Sequence, residues 1–121
     1  MMFFEIDDYA AMKAALADMC AEFIRDCVPE NAVFDCKLVA NELLANALRY
    51  GGGSARFRAE KRGNEIRIAV KSARDYEPPE KSACSGTDAE RGRGLFLVDA
   101  IGASRGYDAE EGICVIVKIT E

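Results

Sequence analysis

Residues 41–51 of the chain read NELLANALRYG, and residues 91–98 read RGRGLFLV. The first stretch has the spacing of a helix that ends at a glycine, because its leucines and alanines recur at intervals of three and four residues. The second places Gly92 and Gly94 directly before an apolar run, which predicts a short helix to about Ile101. These two stretches decide the fold class and the candidate site.

A narrow polar stripe runs beside the apolar side of the first predicted helix. Glu42, Asn46 and Arg49 lie at positions i, i+4 and i+7, so they share one side of the helix. One interpretation is a solvated stripe with an ion pair between Glu42 and Arg49. The other is a site in which the carboxylate orients or deprotonates a hydroxyl while the amide oxygen of Asn46 holds Mg²⁺. The helix by itself does not decide between them.

The glycine-rich stretch has the composition of an anion-binding loop. Backbone N–H groups at Gly92 and Gly94 can approach an anion, and the helix that follows adds the favourable end of its dipole. Arg91 and Arg93 supply guanidinium groups suited to phosphate. A simple tight turn remains the alternative. The stretch lacks the third glycine of a dinucleotide fingerprint and the Gly-Lys-Ser/Thr of a P-loop.

The N-terminal part of the chain predicts one strand and two helices. Residues 3–6 form a short apolar start typical of an edge strand, and Asp7 or Asp8 is placed to cap a helix that runs to about Cys27. A second helix is predicted from near Asp35 to the glycines at 51–53. The residues predicted to line one side of the first helix are Ala11, Ala15, Met19, Phe23 and Ile24.

The C-terminal part predicts two hairpins separated by a loop. Residues 55–59 and 66–70 alternate around a turn at 62–64, residues 72–90 show no periodicity, and two strands cover residues 104–107 and 113–119. This order predicts an α+β fold, a two-layer α/β sandwich whose mixed or antiparallel sheet carries helices on one face. A chain of 121 residues is the size of a single domain, residues 1–121.

Composition excludes several classes of function. A net charge of −5 argues against direct binding to nucleic acid, which needs a basic surface. No signal peptide and no apolar run of membrane-spanning length is recognisable, so we expect a cytoplasmic location without a membrane partner. The chain has no histidine, which excludes Ser-His and Cys-His nucleophilic catalysis.

The five cysteines do not form a recognisable disulfide or zinc pattern. Their number is odd and no pair has the spacing of a CxxC motif. We therefore expect reduced, mostly buried thiols. Whether Cys84, in the predicted loop, is redox-active stays open.

The two stretches together resemble motifs of one known superfamily. Residues 41–51 resemble the N box of the GHKL ATPases, which include gyrase, histidine kinases and mismatch-repair ATPases, and residues 91–98 resemble their second glycine box. The short length and the absence of a phosphoacceptor helix are most similar to the anti-sigma factor serine kinases. The resemblance implies a Bergerat-type ATPase fold, ATP and Mg²⁺ as cofactors, and a homodimer. It also implies a sigma factor or an antagonist protein phosphorylated on serine as partner.

The resemblance also assigns roles to individual residues. Glu42 would be the general base of a serine/threonine kinase, and Asn46 would be the Mg²⁺ ligand. The positions that it places along the nucleotide are Asn46, Arg49, Ser72, Asp75, Arg91, Gly92, Arg93, Gly94 and Leu95.

Two positions depart from the family pattern. Ser72 falls where family members have an aspartate that binds the adenine amino group, and Asp75 replaces it only if the loop is rearranged. Ile113 or Cys114 falls where they often have a threonine. Loss of a charge-assisted hydrogen bond costs about 1.5–3 kcal/mol, or roughly tenfold to a hundredfold in affinity.

Three functions are therefore compatible with the sequence. The first is an ATP-dependent serine kinase that also binds a sigma factor. The second is a regulatory binding module that has kept the fold and lost ATP binding or turnover. The third is an ATPase domain detached from a sensor kinase.

Overall fold

The computed structural model of the chain describes residues 2–74 and 104–119. Within these ranges two helices pack on a five-stranded sheet, which confirms the predicted α+β sandwich. The elements are, in chain order, β1 (Met2–Ile6), α1 (Tyr9–Arg25), α2 (Glu30–Tyr50), β2 (Ala55–Arg62), β3 (Glu65–Ser72), β4 (Ser104–Asp108) and β5 (Gly112–Lys118).

Helix α1 begins where the aspartate cap was predicted. Asp8 has extended backbone angles, and its side chain accepts a hydrogen bond of 2.7 Å from the backbone nitrogen of Ala11. Ala15, Met19 and Phe23 are buried as predicted. Ile24 was predicted on the same side, and this was wrong, because it is 64% exposed. It lies about 100° around the helix from Phe23, which turns it towards solvent.

Helix α2 begins five residues earlier than predicted. It starts at Glu30, directly after Pro29, whose carbonyl oxygen accepts a hydrogen bond of 3.0 Å from the nitrogen of Val33. A proline can end a helix, but a proline at a helix start loses no hydrogen bond and presets the backbone angle. The end at Gly51 is as predicted, and its nitrogen donates to the carbonyl oxygen of Ala47 at 2.8 Å.

The sheet has the strand order β1-β2-β3-β5-β4, and every pair of neighbours is antiparallel. Alternation gives it two different faces. The helix-covered face carries buried apolar side chains, for example Phe57, Ile68 and Val115. The open face, on which no described helix packs, carries polar and partly exposed side chains such as Arg58 and Cys114.

The cysteines that the structure describes are free thiols with differing exposure. Cys36 is buried, Cys20 and Cys114 are partly exposed, and Cys27 is exposed. The prediction of mostly buried thiols is wrong for these four. Burial raises the pKa of the Cys36 thiol to about 12, with a smaller contribution from Asp35. Cys84, residues 75–90 of the loop predicted at 72–90 and the predicted helix at 94–101 lie outside the described residues.

None of the helices in the described ranges has both the length and the apolar character needed to cross a membrane.

Candidate functional site

The polar stripe of α2 is partly buried rather than solvated. Asn46 is 7% exposed, and among residues 2–74 and 104–119 it is the one polar residue that is buried. Glu42, one turn earlier, is partly buried, and Arg49 is exposed. Within the described part of the chain no ion pair joins Glu42 to Arg49; the Arg49 guanidinium instead lies 5.8 Å from the ring centroid of Tyr50. Glu42, Asn46 and Arg49 therefore do not form a solvated stripe with an ion pair between Glu42 and Arg49.

The Asn46 amide is the most informative group on that stripe. Its side chain forms no hydrogen bond with any residue that the structure describes. Burial of an amide without a partner costs about 1–3 kcal/mol, so native proteins rarely retain one unless a ligand, ion or water satisfies it. Asn46 thus fits an amide whose oxygen coordinates an ion, or that forms hydrogen bonds with a group that the described residues do not supply.

The C-terminal end of α2 and the C-terminal end of β3 are in close contact at Gly51 and Ser72. A Cβ atom built on Gly51 would lie 2.3 Å from the Cβ and 2.8 Å from the Oγ of Ser72. Two backbone hydrogen bonds fix this approach, from Arg74 to the carbonyl of Gly51 at 2.7 Å and from Ala73 to the carbonyl of Ser54 at 2.8 Å. The structure therefore places Ser72 directly beside the C-terminal end of the helix that carries Glu42 and Asn46.

The Ser72 hydroxyl donates its proton to a hydrogen bond within the protein. Its Oγ donates to the carbonyl oxygen of Arg74 at 2.7 Å. A hydroxyl has one proton and two lone pairs, so the oxygen of Ser72 presents only acceptor capacity to anything else that approaches it.

A small cavity lies between α2, β3 and β5, and we call it the Ser72 cavity. It measures about 10 Å³ and is lined by Ala47, Ser72 and Ile113 together with Lys71 and Tyr107. A larger, solvent-open groove of about 630 Å³ lies at the same end of the sheet and shares Lys71 and Ser72 as walls. We call it the sheet-end groove.

The structure separates the two β5 residues that sequence reasoning left together. Ile113 lines the Ser72 cavity, whereas Cys114 lies on the open face, where its sulfur accepts a hydrogen bond of 3.4 Å from Arg67. Successive residues of a strand point to opposite faces, so only Ile113 occupies the site.

Lys71 and Tyr107 are site residues that sequence reasoning missed. The Lys71 ammonium donates to the Tyr107 hydroxyl at 3.4 Å and lies 5.6 Å from the centre of its ring. They are 36 residues apart in the chain and meet because β3 and β4 flank β5. The alternation of each strand was visible in the sequence, but the strand order was not.

The open face is organised around Glu111, away from the Ser72 cavity. Its carboxylate pairs with Arg67 and, at 3.3 Å, with Arg58. The hydrogen bond from Arg67 lowers the pKa of Glu111. Asp108 closes the turn before β5 by accepting from the backbone nitrogens of Glu110 and Glu111 at 2.7 and 3.1 Å, and these bonds lower its pKa.

The remaining predicted site residues lie outside the described part of the chain. They are Asp75, Arg91, Gly92, Arg93, Gly94 and Leu95. Their assignment to the nucleotide phosphates and to the adenine stays a prediction.

A comparison with known protein families covers both the described site residues and those outside the described ranges. The sequence profile of a family described as the histidine kinase-like ATPase domain matches residues 5–119, a range that contains Glu42, Asn46 and all the other predicted site residues. No curated protein matches the chain.

Proposed function

The chain belongs to the family of histidine kinase-like ATPase domains, and we propose that it is a regulatory module that binds ATP with Mg²⁺. The observation that carries this proposal is the buried Asn46 amide, which has no partner among the described residues. An amide oxygen beside a carboxylate suits Mg²⁺, a hard cation that prefers oxygen ligands and keeps several of its own. The residues present therefore fit the cofactor that the family implies.

The C-terminal half of α2 and the strand ends beside it would serve different parts of the nucleotide. Asn46 would hold the ion, and Glu42 would orient or deprotonate the hydroxyl of a protein substrate. Bound Mg²⁺ would neutralise charge on the phosphates, which is the main requirement of phosphoryl transfer. Ser72 and Ile113, at the C-terminal end of the helix, would meet the base.

Ser72 supports adenine as the base although the expected carboxylate is missing. Because its proton is directed to Arg74, its oxygen accepts a hydrogen bond from an amino group and cannot donate one to a carbonyl. Adenine presents an amino group where guanine presents a carbonyl oxygen. We therefore expect ATP to bind more tightly than GTP.

Isothermal titration with Mg-ATP tests the binding proposal. We expect saturable binding that Asn46→Ala weakens by about tenfold to a hundredfold, since a contact to a charged group is lost. Asn41→Ala is the matched control, because Asn41 lies on the same helix and is partly exposed. Absence of binding at millimolar Mg-ATP would overturn the proposal.

We further propose, on the resemblance alone, that the bound nucleotide is used to phosphorylate a serine of an antagonist protein and that the protein sequesters a sigma factor as a homodimer. Incubation of the protein with labelled ATP and candidate antagonists measures the transfer. Glu42→Gln should abolish the transfer while leaving Mg-ATP binding within about threefold. Transfer that survives this substitution would exclude Glu42 as the base.

A second candidate function is a binding module without turnover. Ser72 in place of a carboxylate favours it, because a neutral hydroxyl accepts a weaker hydrogen bond than a charged group does. Complex formation with the sigma factor that is equally tight with and without Mg-ATP, and unchanged in Asn46→Ala, would favour this function over the kinase.

A further inference from the structure

The sheet-end groove is lined by charged side chains of both signs. It lies where β1 and β3 end and β2 begins, and it has a volume of about 630 Å³. Glu5 and Asp7 line it from β1 and the residue after the strand's end, and Arg56 lines it from β2. All three are exposed, and within residues 2–74 and 104–119 none of their side chains forms an ion pair or a hydrogen bond. The groove therefore offers both a cation and two carboxylates to a ligand.

Arg56 differs from the other arginines on the open face of β2 and β3. Each of those three pairs with a carboxylate in the described part of the chain: Arg58, Arg62 and Arg67. Glu5 lies directly opposite Arg56 on β1, yet no ion pair between described residues joins the two. Lys71, directly opposite on β3, is itself a cation and cannot neutralise Arg56. Like charges opposite each other destabilise a sheet, and an anion bound from outside would offset this cost.

We propose that the sheet-end groove binds an extended segment of a partner protein in which an acidic and a basic side chain stand two positions apart. Side chains i and i+2 of an extended segment point the same way and lie about 6.6 Å apart. The neighbouring strands that carry Glu5 and Arg56 are about 4.8 Å apart, so long side chains of the segment reach both. The acidic side chain pairs with Arg56, whose guanidinium suits a carboxylate, and the basic one pairs with Glu5 and Asp7.

The shape and the charge of the groove favour such a segment over other ligands. Sites for small molecules bury about 70–90% of the ligand surface, which a solvent-open groove does not do, whereas a chain that crosses the groove needs no enclosure. A phosphate group or a purely acidic segment would be attracted by Arg56 but repelled by Glu5 and Asp7. A segment with both charges meets an opposite charge at each point. The inference does not depend on the proposed binding of ATP.

Nuclear magnetic resonance titration of the isotope-labelled full chain tests the proposal. The probe is the capped peptide Gly-Glu-Ala-Lys-Ala-Glu-Gly, which contains both orders of the charge pair, and its neutral analogue carries glutamine at the three charged positions. Because exposed ion pairs are weak, we expect a dissociation constant on the order of 1 mM for the charged peptide. The amide signals of residues 5–7, 54–56 and 71–73 should shift with the charged peptide and not with the neutral one.

Variants of Arg56 distinguish this contact from general attraction between charges. Arg56→Gln should weaken binding of the charged peptide about fivefold. Arg62→Gln is the matched control, because it removes the same charge from the same face at a position already paired with Glu60, and it should bind as the wild type does. Arg56→Glu should reverse the preference, so that a peptide with lysine at all three charged positions binds more tightly than the original one.

Each outcome decides for or against the segment. Shifts confined to other residues, equal binding of the neutral peptide, or unchanged binding in Arg56→Gln would overturn the proposal. The amide spectra of the variants report directly whether the fold persists, and the substituted side chains are exposed. Peptide binding by a chain that fails to bind Mg-ATP would overturn the proposed function and leave this inference standing.

Discussion

The two faces of the sheet are built from the same five strands but depend on different physics. The helix-covered face is held by apolar side chains that are almost completely buried, and it leads to Ser72, Ile113 and the end of α2. The open face is held by ion pairs around Glu111 at partly exposed positions. Burial of apolar area stabilises proteins strongly, whereas surface ion pairs contribute about 0–1 kcal/mol. Substitutions on the two faces should therefore differ greatly in cost.

The largest expected difference is between two phenylalanines. Phe57 is completely buried and stacks on Phe4 with ring centroids 5.6 Å apart, while Phe3 is 45% exposed on the open face beneath Arg58. Phe57→Ala should lower the free energy of unfolding by about 3–5 kcal/mol, and Phe3→Ala by less than about 1 kcal/mol. Urea denaturation measures both. Equal losses would show that the open face is covered in solution.

Next in size is a comparison of two glycines with positive φ. A Cβ on Gly112, where φ is +83°, would lie 2.1 Å from the carbonyl oxygen of Val70, whereas one on Gly63, where φ is +57°, would meet nothing within 4 Å. Gly63→Ala should cost about 1 kcal/mol for the left-handed backbone alone. Gly112→Ala should cost about 2–4 kcal/mol, because a backbone atom must also move. A Gly112→Ala variant as stable as Gly63→Ala in the same urea titration would contradict the β3–β5 register.

The buried thiol of Cys36 gives a pH-dependent test of the interior. The folded protein raises the pKa of this group to about 12, while the unfolded chain titrates near its ordinary value of about 8.5. Below that value the contribution is fully present. Between the two values the unfolded state loses its proton first, so stability should fall by about 1.4 kcal/mol per pH unit. Unfolding of the wild type and Cys36→Ala between pH 8 and 10 isolates the effect, and parallel curves would exclude it.

The smallest expected effect belongs to the open face. Glu111→Gln should destabilise the protein by about 1 kcal/mol or less at pH 7. Because the pKa of Glu111 is lowered in the folded state, its contribution is present above the ordinary range near 4.3 and is lost as the pH falls through the folded value. Wild type and variant should therefore converge in acid.

Glu110→Gln is the matched control for this prediction. Glu110 is exposed in the same turn, and its carboxylate pairs with no cation in the described ranges. Thermal melts at neutral and acidic pH provide the measurement. A loss of several kcal/mol in Glu111→Gln would mean that the open face depends on its ion pairs far more than surface electrostatics allows.

The sequence predicted the helices and hairpins, which depend on local residue patterns. It did not predict the side-chain contacts that depend on the order of the strands. Helix α1 and both described hairpins were predictable, because alternation and caps are local signals. Helix α2 begins at Glu30 rather than near Asp35, and the sequence did not fix this start because a proline such as Pro29 can mark either a break or the first turn of a helix. Ser72 was singled out through its motif and its role stays a prediction, whereas the choice between Ile113 and Cys114 needed the register. The contact between Lys71 and Tyr107 joins two strands that are separated by a third, and no spacing in the chain indicates such a contact.

The contact between Gly51 and Ser72 constrains how this protein can change over generations. Two Cβ atoms cannot occupy positions 2.3 Å apart, so residues 51 and 72 cannot both carry a side chain in this geometry. A chain with a carboxylate at position 72 must therefore keep glycine at 51. Glycine at 72 would not free position 51, because the same Cβ atom would also lie 2.7 Å from the backbone carbonyl oxygen of Ala47. Related sequences that keep this contact between the end of α2 and the end of β3 should therefore retain glycine at position 51, whichever residue stands at position 72.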